Sequence, residues 1–210
     1  MQVLLAGATG LVGAQVLQRL LADPRCSGVI APTRRALPRT DGRLLNPVLD
    51  FENITALAQD WRVEAAICAL GSTMKLAGSR GAFQRIDHGY PLAIARAVRG
   101  NGCEVFVLNS AAGANPRAPF FYSRVKGALE QDLRALGFAS LNLVRPGLIG
   151  GERAQPRTGE HLASVVLGAL APVLPRAWRI NPATRIAEAL VEAALNPQPG
   201  VHIVGSAELV

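Results

Sequence analysis

Short apolar runs alternate with longer amphipathic stretches along nearly the whole chain. QVLLA, residues 2–6, is the first run and ends in a glycine turn. Over residues 11–21 the apolar positions then fall at helical spacing, with Val12, Val16, Leu17, Leu20 and Leu21 on one face. Further strands are predicted at 28–33, 45–49, 65–70, 104–110, 141–145 and 201–204. Helices are predicted at about 82–99, where Pro91 should bend or restart the helix, and at 121–136, stopped by Gly137. Two more are expected at 161–170 and 183–195. Strands alternating with helices imply a parallel sheet covered on both sides, and near-continuous apolar strands agree, since both faces must be buried. The fold class is therefore α/β: a doubly wound parallel sheet of Rossmann type. It is expected as a single domain over residues 1–210, with a short substrate-side extension at about 147–200. No internal repeat or linker divides the chain.

Half of the 210 residues are hydrophobic, which argues for a folded chain with a sizeable core. No apolar run is long enough to span a bilayer, and the N-terminus lacks the basic start and long apolar stretch of a signal peptide. The expectation is a soluble, cytoplasmic protein with no membrane partner. The net charge of +7 comes almost wholly from arginine. These arginines are scattered, and no helix-turn-helix, zinc-finger or RNA-binding signature accompanies them, which argues against specific nucleic-acid binding. An anionic cofactor or small-molecule substrate is the more local use of that charge. Cys26, Cys68 and Cys103 show no metal-ligand spacing and read as buried reduced thiols, so no metal is expected.

Gly7, Gly10 and Gly13 form G-x-x-G-x-x-G between the first strand and the first helix. Small residues there let the chain turn tightly and let the backbone approach a pyrophosphate at the positive helix end. Thr9 adds a hydroxyl, Leu11 and Val12 present backbone amides, and Gly13 lets the helix pack closely on the sheet. This predicts dinucleotide binding. The end of the second strand selects the dinucleotide: an acid suits the ribose 2′-hydroxyl of NAD, an arginine the 2′-phosphate of NADP. The chain has Ala31-Pro32-Thr33-Arg34-Arg35 there, so NADP (NADPH) is expected rather than NAD, with Arg34 and Arg35 as readers. Asp50 and Phe51 follow the third strand and are placed to meet the adenine. Ala69, Leu70, Gly71 and Ser72 follow the fourth, where a small-residue loop passes beneath the adenosine ribose and pyrophosphate.

Tyr122 and Lys126 stand four residues apart on one helix face, in a chain with two tyrosines and two lysines. Beside them run Val125, Leu129, Leu133 and Leu136, so the pair is expected at the edge of the buried face, not out in solvent. A free phenol loses its proton only near pH 10, so its use at neutral pH needs a cation alongside. Lys126 supplies one, and it is also placed to hold the nicotinamide ribose. Ser110, at the end of the fifth strand, is expected to donate a hydrogen bond to the substrate oxygen. The predicted reaction is hydride transfer between nicotinamide and a carbonyl or carbinol carbon, with Tyr122 moving the proton.

The glycine fingerprint, Ser110-x-x-Gly113 and Tyr122-x-x-x-Lys126 together resemble the short-chain dehydrogenase/reductase superfamily. GATGLVG points to its extended or atypical branches. The run from FQRIDHGYPLAIARAV through LNSAAGANPRAPFFYSRVKGALE to LVRPGLIGGER is similar to the atypical group that includes the HIV Tat-interacting protein. The resemblance implies catalytic Ser110, Tyr122 and Lys126, and a cofactor lined by Gly7, Gly10, Gly13, Arg34, Arg35, Asp50, Leu70, Gly71 and Pro146. One departure is Ser110-Ala111, where the group often has two serines. A cofactor-binding regulator or redox sensor with little turnover is the second reading, because fold does not fix function. A nucleotide-sugar epimerase or dehydratase is a third, and it needs a larger substrate lobe than the roughly eighty residues after Lys126. His88 reads as a packing residue, while Arg153, Arg157 and Glu160 lie where a substrate loop belongs. Related folds build a dimer face from the helices bearing Pro91 and Tyr122; monomer and homodimer both stay open.

Overall fold

A computed structural model describes residues 1–54, 61–150 and 179–210. The helix expected at 161–170 lies outside them, as do Arg153, Arg157 and Glu160. The first strand, β1 (Gln2–Ala6), feeds α1 (Leu11–Ala22), then β2 (Gly28–Ile30) and β3 (Leu44–Leu45). After β4 (Ala65–Cys68) come two short helices, α2 (Met74–Ala77) and α3 (Arg80–Gln84). A π turn (Arg85–Gly89) leads into α4 (Tyr90–Gly100). β5 (Val105–Asn109), α5 (Phe121–Ala135) and β6 (Ser140–Arg145) follow. β7 (Ile149–Gly150), β8 (Asn181–Pro182), α6 (Ala183–Leu195) and β9 (Gly200–Gly205) complete the described elements.

Seven strands pair in the order β3-β2-β1-β4-β5-β6-β9, all parallel, while β7 and β8 pair apart from them. This is the doubly wound Rossmann-type sheet expected from the pattern. Because strand side chains alternate, β1 feeds two cores at once. Val3 and Leu5 pack with α1 and α6, through Val16, Leu20, Ile186 and Leu190. Leu4 and Ala6 pack with α4 and α5, through Ile94, Val98, Leu129 and Leu133. All four of those β1 side chains are fully enclosed, which explains why the strand reads as a continuous apolar run.

Proline accounts for the departures of three elements, β2, β3 and the 82–99 helix, from the sequence pattern. β2 and β3 were expected to run to 33 and 49, but the regular ladder ends at Ile30 and Leu45 and resumes only as a bridge between Thr33 and Val48. Pro32 and Pro47 interrupt it by lacking an N–H. The helix expected over 82–99 is broken by the π turn just before Pro91, which lies in the first turn of α4. A proline ring there denies the preceding turn its α-type bond, and a wider turn accommodates it. α5 ends as expected: Gly137 takes φ +66° beyond its last turn.

Candidate functional site

The described candidate cofactor and catalytic residues follow the carboxyl ends of the strands or lie on α1 and α5, next to those ends. The strand order reverses between β1 and β4, and doubly wound sheets bind ligands at such a crevice. At the β1 exit, Gly7 has φ +92°, and a Cβ there would lie 2.7 Å from the carbonyl of Ala69. A Cβ on Gly13 would run into the Gly7 carbonyl. The first turn of α1 is thereby pressed against the β1 and β4 exits. Gly10 starts that helix with no side-chain cap, and the first turn holds no acid. The helix end therefore presents backbone N–H groups of Leu11 and Val12 suited to an anion. Thr9 is exposed beside it.

Arg34 and Arg35 are exposed at the β2 exit. Arg34 lines an open hollow of about 400 Å³ together with Val48, Leu49 and Asp50. The Asp50 carboxylate caps the 3₁₀ turn Phe51–Asn53, accepting from the Glu52 N–H at 3.1 Å. Phe51 takes a different place from the one expected: its ring is buried in the core and packs on Tyr90, with centroids 5.8 Å apart.

The chemical end is built on α5. Tyr122, Lys126 and Glu130 lie at i, i+4 and i+8 on one face. The Tyr122 ring leans on Phe83 with centroids 5.7 Å apart and is 39% exposed, more open than its place in the pattern suggests. Lys126 is 3% exposed, and its Nζ pairs with Asp87 Oδ1 at 2.8 Å. Asp87 is fully buried in the π turn, and its Oδ2 accepts from the Ser72 N–H at 2.7 Å. One carboxylate thus ties the α5 lysine to the β4 exit. Gly71 lies directly over this pair: a Cβ there would be 3.4 Å from Asp87 Oδ1 and 3.7 Å from Lys126 Nζ. Burial works against the Lys126 charge, but Asp87 and then Tyr122 outweigh it and hold the ammonium above the usual lysine range. Cys68, beneath, has its thiol pushed up to about 11 by burial, so it stays protonated and inert. All three cysteines are buried and free, as their spacing implied.

Ser110 has a partner other than a substrate. Its hydroxyl donates to Glu130 Oε1 at 2.6 Å, and both residues are buried. Glu130 also takes the Arg145 Nε–H at 2.9 Å, from the end of β6. Glu130 stands eight residues beyond Tyr122, roughly 12 Å along a helix axis at 1.5 Å per residue. The structure therefore sets Lys126 one turn from Tyr122 on α5, while Ser110 is bonded to Glu130 a further turn on. Pro146 is buried, and its carbonyl accepts from the Ala112 N–H at 2.7 Å, which fixes the loop after Ser110. That loop lies against α5 at Gly127, where a Cβ would collide with the backbone of Asn115 and Pro116. Gly127→Ala should displace the loop and cost about 1–3 kcal/mol by overpacking, read as a lower urea midpoint.

Asp87, Glu130 and Gly127 were not singled out from the sequence. For Asp87 a signal existed: Phe83, Asp87, Pro91, Ile94 and Val98 fall on one helical face, and a carboxylate there needs a buried cation. His88, beside it, bonds Asp132 at 2.8 Å across to α5, which fits its reading as a packing residue. Among the described residues no group of three metal-ligating side chains occurs.

No family model matches the chain. Individual proteins do. It is 34% identical to the protein fmp52, mitochondrial, of Emericella nidulans, over 97% of this chain and 91% of that one. With the protein of the same name from Aspergillus fumigatus the identity is 35%, over 99% and 92%. With that of Meyerozyma guilliermondii it is 32%, over 100% and 94%. These names overturn the expected cytoplasmic location, since the relatives are named as mitochondrial over nearly their whole length. They also do not carry the finer grouping with Tat-interacting proteins.

Among solved structures, the Thermus thermophilus UDP-glucose 4-epimerase in complex with NAD superposes with a TM-score of 0.74. It is 19% identical, and the match covers 98% of this chain and 78% of that one. A short chain dehydrogenase family protein from Francisella tularensis gives a TM-score of 0.66 at 15% identity, over 99% and 98%. At such identities the likeness is one of fold, and it agrees with the strand order. Kinship rests on the fungal proteins: with about a third of its residues shared along nearly all of its length, the chain belongs to the Fmp52 family.

Proposed function

We propose that the protein is an NADP-dependent oxidoreductase of the short-chain dehydrogenase/reductase type, acting on a carbonyl or alcohol carbon. The observation that carries this reading is the buried Lys126–Asp87 pair beneath Gly71, with the Tyr122 phenol one helical turn away. The glycine turn fits a dinucleotide, because backbone fills the space where side chains at Gly7 and Gly13 would stand. Leu11 and Val12 N–H groups would take its pyrophosphate, and the loop Ala69-Leu70-Gly71 would pass beneath its ribose. When bound, the nicotinamide supplies or accepts the hydride. Tyr122 would give or take the proton on the substrate oxygen, and Lys126 would hold positive charge beside the phenol and take the ribose hydroxyls. Ser110 secures the β5 exit through Glu130 in this reading, and does not itself orient the substrate. A regulator that only senses nucleotide needs the glycine turn but has no use for a buried lysine–carboxylate pair aligned with an open phenol, and this favours chemistry.

The Thermus thermophilus epimerase is described in complex with NAD, so the preference for NADP rests on this chain's own β2 exit. Residues 31–35 of that exit contain no acid, and Arg34 lines a hollow that it shares with Asp50 of the segment after β3. Calorimetric titration with NADPH and NADH tests both points. With Arg34→Ala and Arg35→Ala combined, NADPH should weaken by about tenfold or more, the worth of a charge-assisted phosphate contact, and NADH far less. Equal losses would remove the arginines as phosphate readers, and no heat with either coenzyme would end the proposal.

A further inference from the structure

The hollow beside Arg34 has walls from two segments, the β2 exit and the residues after β3, and a single side chain joins them. Along the parallel ladder, Val29 N–H donates to the Arg43 carbonyl, Ala31 N–H to Leu45, and Thr33 N–H to Pro47, at 2.8, 2.8 and 3.0 Å. The return bond from Leu49 N–H to the Thr33 carbonyl is 2.9 Å. Pro47 has no N–H for the Ala31 carbonyl. Asn46 fills that gap, its Nδ2 donating to Ala31 O at 2.6 Å. The same Nδ2 donates to Thr33 Oγ1 at 2.8 Å, and Oδ1 accepts from the Leu37 N–H at 2.8 Å. Thr33 Oγ1 in turn donates to the Arg35 carbonyl at 2.7 Å.

Asn46 therefore grips both ends of the loop that carries Arg34 and Arg35, at Thr33 and at Leu37, and the hydroxyl it holds fixes the middle. A loop whose four residues 34–37 are exposed or half-exposed otherwise costs conformational freedom each time it is ordered around an anion. We propose that Asn46 is a specificity-positioning residue: it pre-sets the Arg34–Arg35 loop for the 2′-phosphate of the dinucleotide, without touching the ligand. This rests on the reading that these arginines meet that phosphate.

The experiment is calorimetric titration of the full chain, as wild type, Asn46→Ala and Thr33→Val, with NADPH and with NADH, alongside urea denaturation of each. Asn46→Ala should weaken NADPH by about five- to thirtyfold, what one or two polar contacts are worth, while NADH changes by less than about twofold. Thr33→Val keeps the backbone ladder and loses only the hydroxyl, so it should move NADPH in the same direction by a smaller factor. It carries the test if Asn46→Ala unfolds. An equal loss for both coenzymes would make Asn46 merely structural and overturn the inference, as would unchanged NADPH binding in both variants. Wild type that prefers NADPH while the variants do not discriminate less would sink the role of Asn46 and leave the oxidoreductase reading standing. Wild type that binds neither coenzyme would sink both.

Discussion

Tyr122→Phe should remove turnover of carbonyl substrates by about 10²–10⁴-fold, the range for loss of a positioned acid–base group, while NADPH affinity stays close to wild type. The substitution takes away one oxygen and nothing else. The ring contact with Phe83, 5.7 Å between centroids, is available to phenylalanine as well. The side chain is 39% exposed, so no buried donor is stranded and the fold should persist. Lys126 keeps its place because Asp87 and not the phenol anchors it. A selective loss of kcat with intact cofactor binding is therefore the signature of proton transfer at this oxygen. The measurement is NADPH absorbance across a panel of ketones and aldehydes, with calorimetry on the same preparations. Full activity in the variant would end the assignment of Tyr122.

The sheet was legible because burial on both faces leaves a strand with almost no polar positions, as in QVLLA and in Ala65–Cys68. α6 matched its expected limits of 183–195 for a related reason: its buried residues Ile186, Ala187, Leu190, Val191 and Ala194 repeat at helical spacing. The glycine turn could also be read, since what it requires is the absence of side chains. Partnerships between distant residues were not legible. Nothing in the order of letters says that Lys126 meets Asp87 across the π turn, or that Ser110 turns to Glu130 and Arg145. Motif spacing placed Ser110 correctly at the end of β5 yet left the direction of its hydroxyl unspecified. The same limit applies to Phe51, whose place after β3 was right while its ring faces the core. Composition and an N-terminus without a secretory pattern suggested the cytoplasm, and the mitochondrial relatives show how little such features say about an organelle.

Asp87→Ala should cost about 3–5 kcal/mol of folding stability at neutral pH, the usual result of removing one partner from a buried ion pair. Lys126 is left 3% exposed with its carboxylate gone, and the Ser72 N–H loses its acceptor at the same stroke. Asp87→Asn should recover little of this: with its amide oxygen accepting from Ser72, its NH2 faces the Lys126 ammonium, donor against donor, and the opposing charge is lost. The pH dependence has a definite sign. The folded-state value of Lys126 is raised above its unfolded value, burial being outweighed by Asp87. Its contribution is thus fully present below the unfolded value of about 10.4 and is lost as pH rises through the higher folded one. In the alanine variant the Asp87 contribution is gone and burial is opposed mainly by Tyr122, so the lysine drops below its wild-type folded value and that protein has less to lose as Lys126 sheds its proton. The gap between the two in urea denaturation should be widest at neutral pH and shrink on the alkaline side. An alanine variant within about 1 kcal/mol of wild type at pH 7, no more than an exposed ion pair is worth, would mean that the pair does not hold the lysine, and the site would lose the element that aligns it.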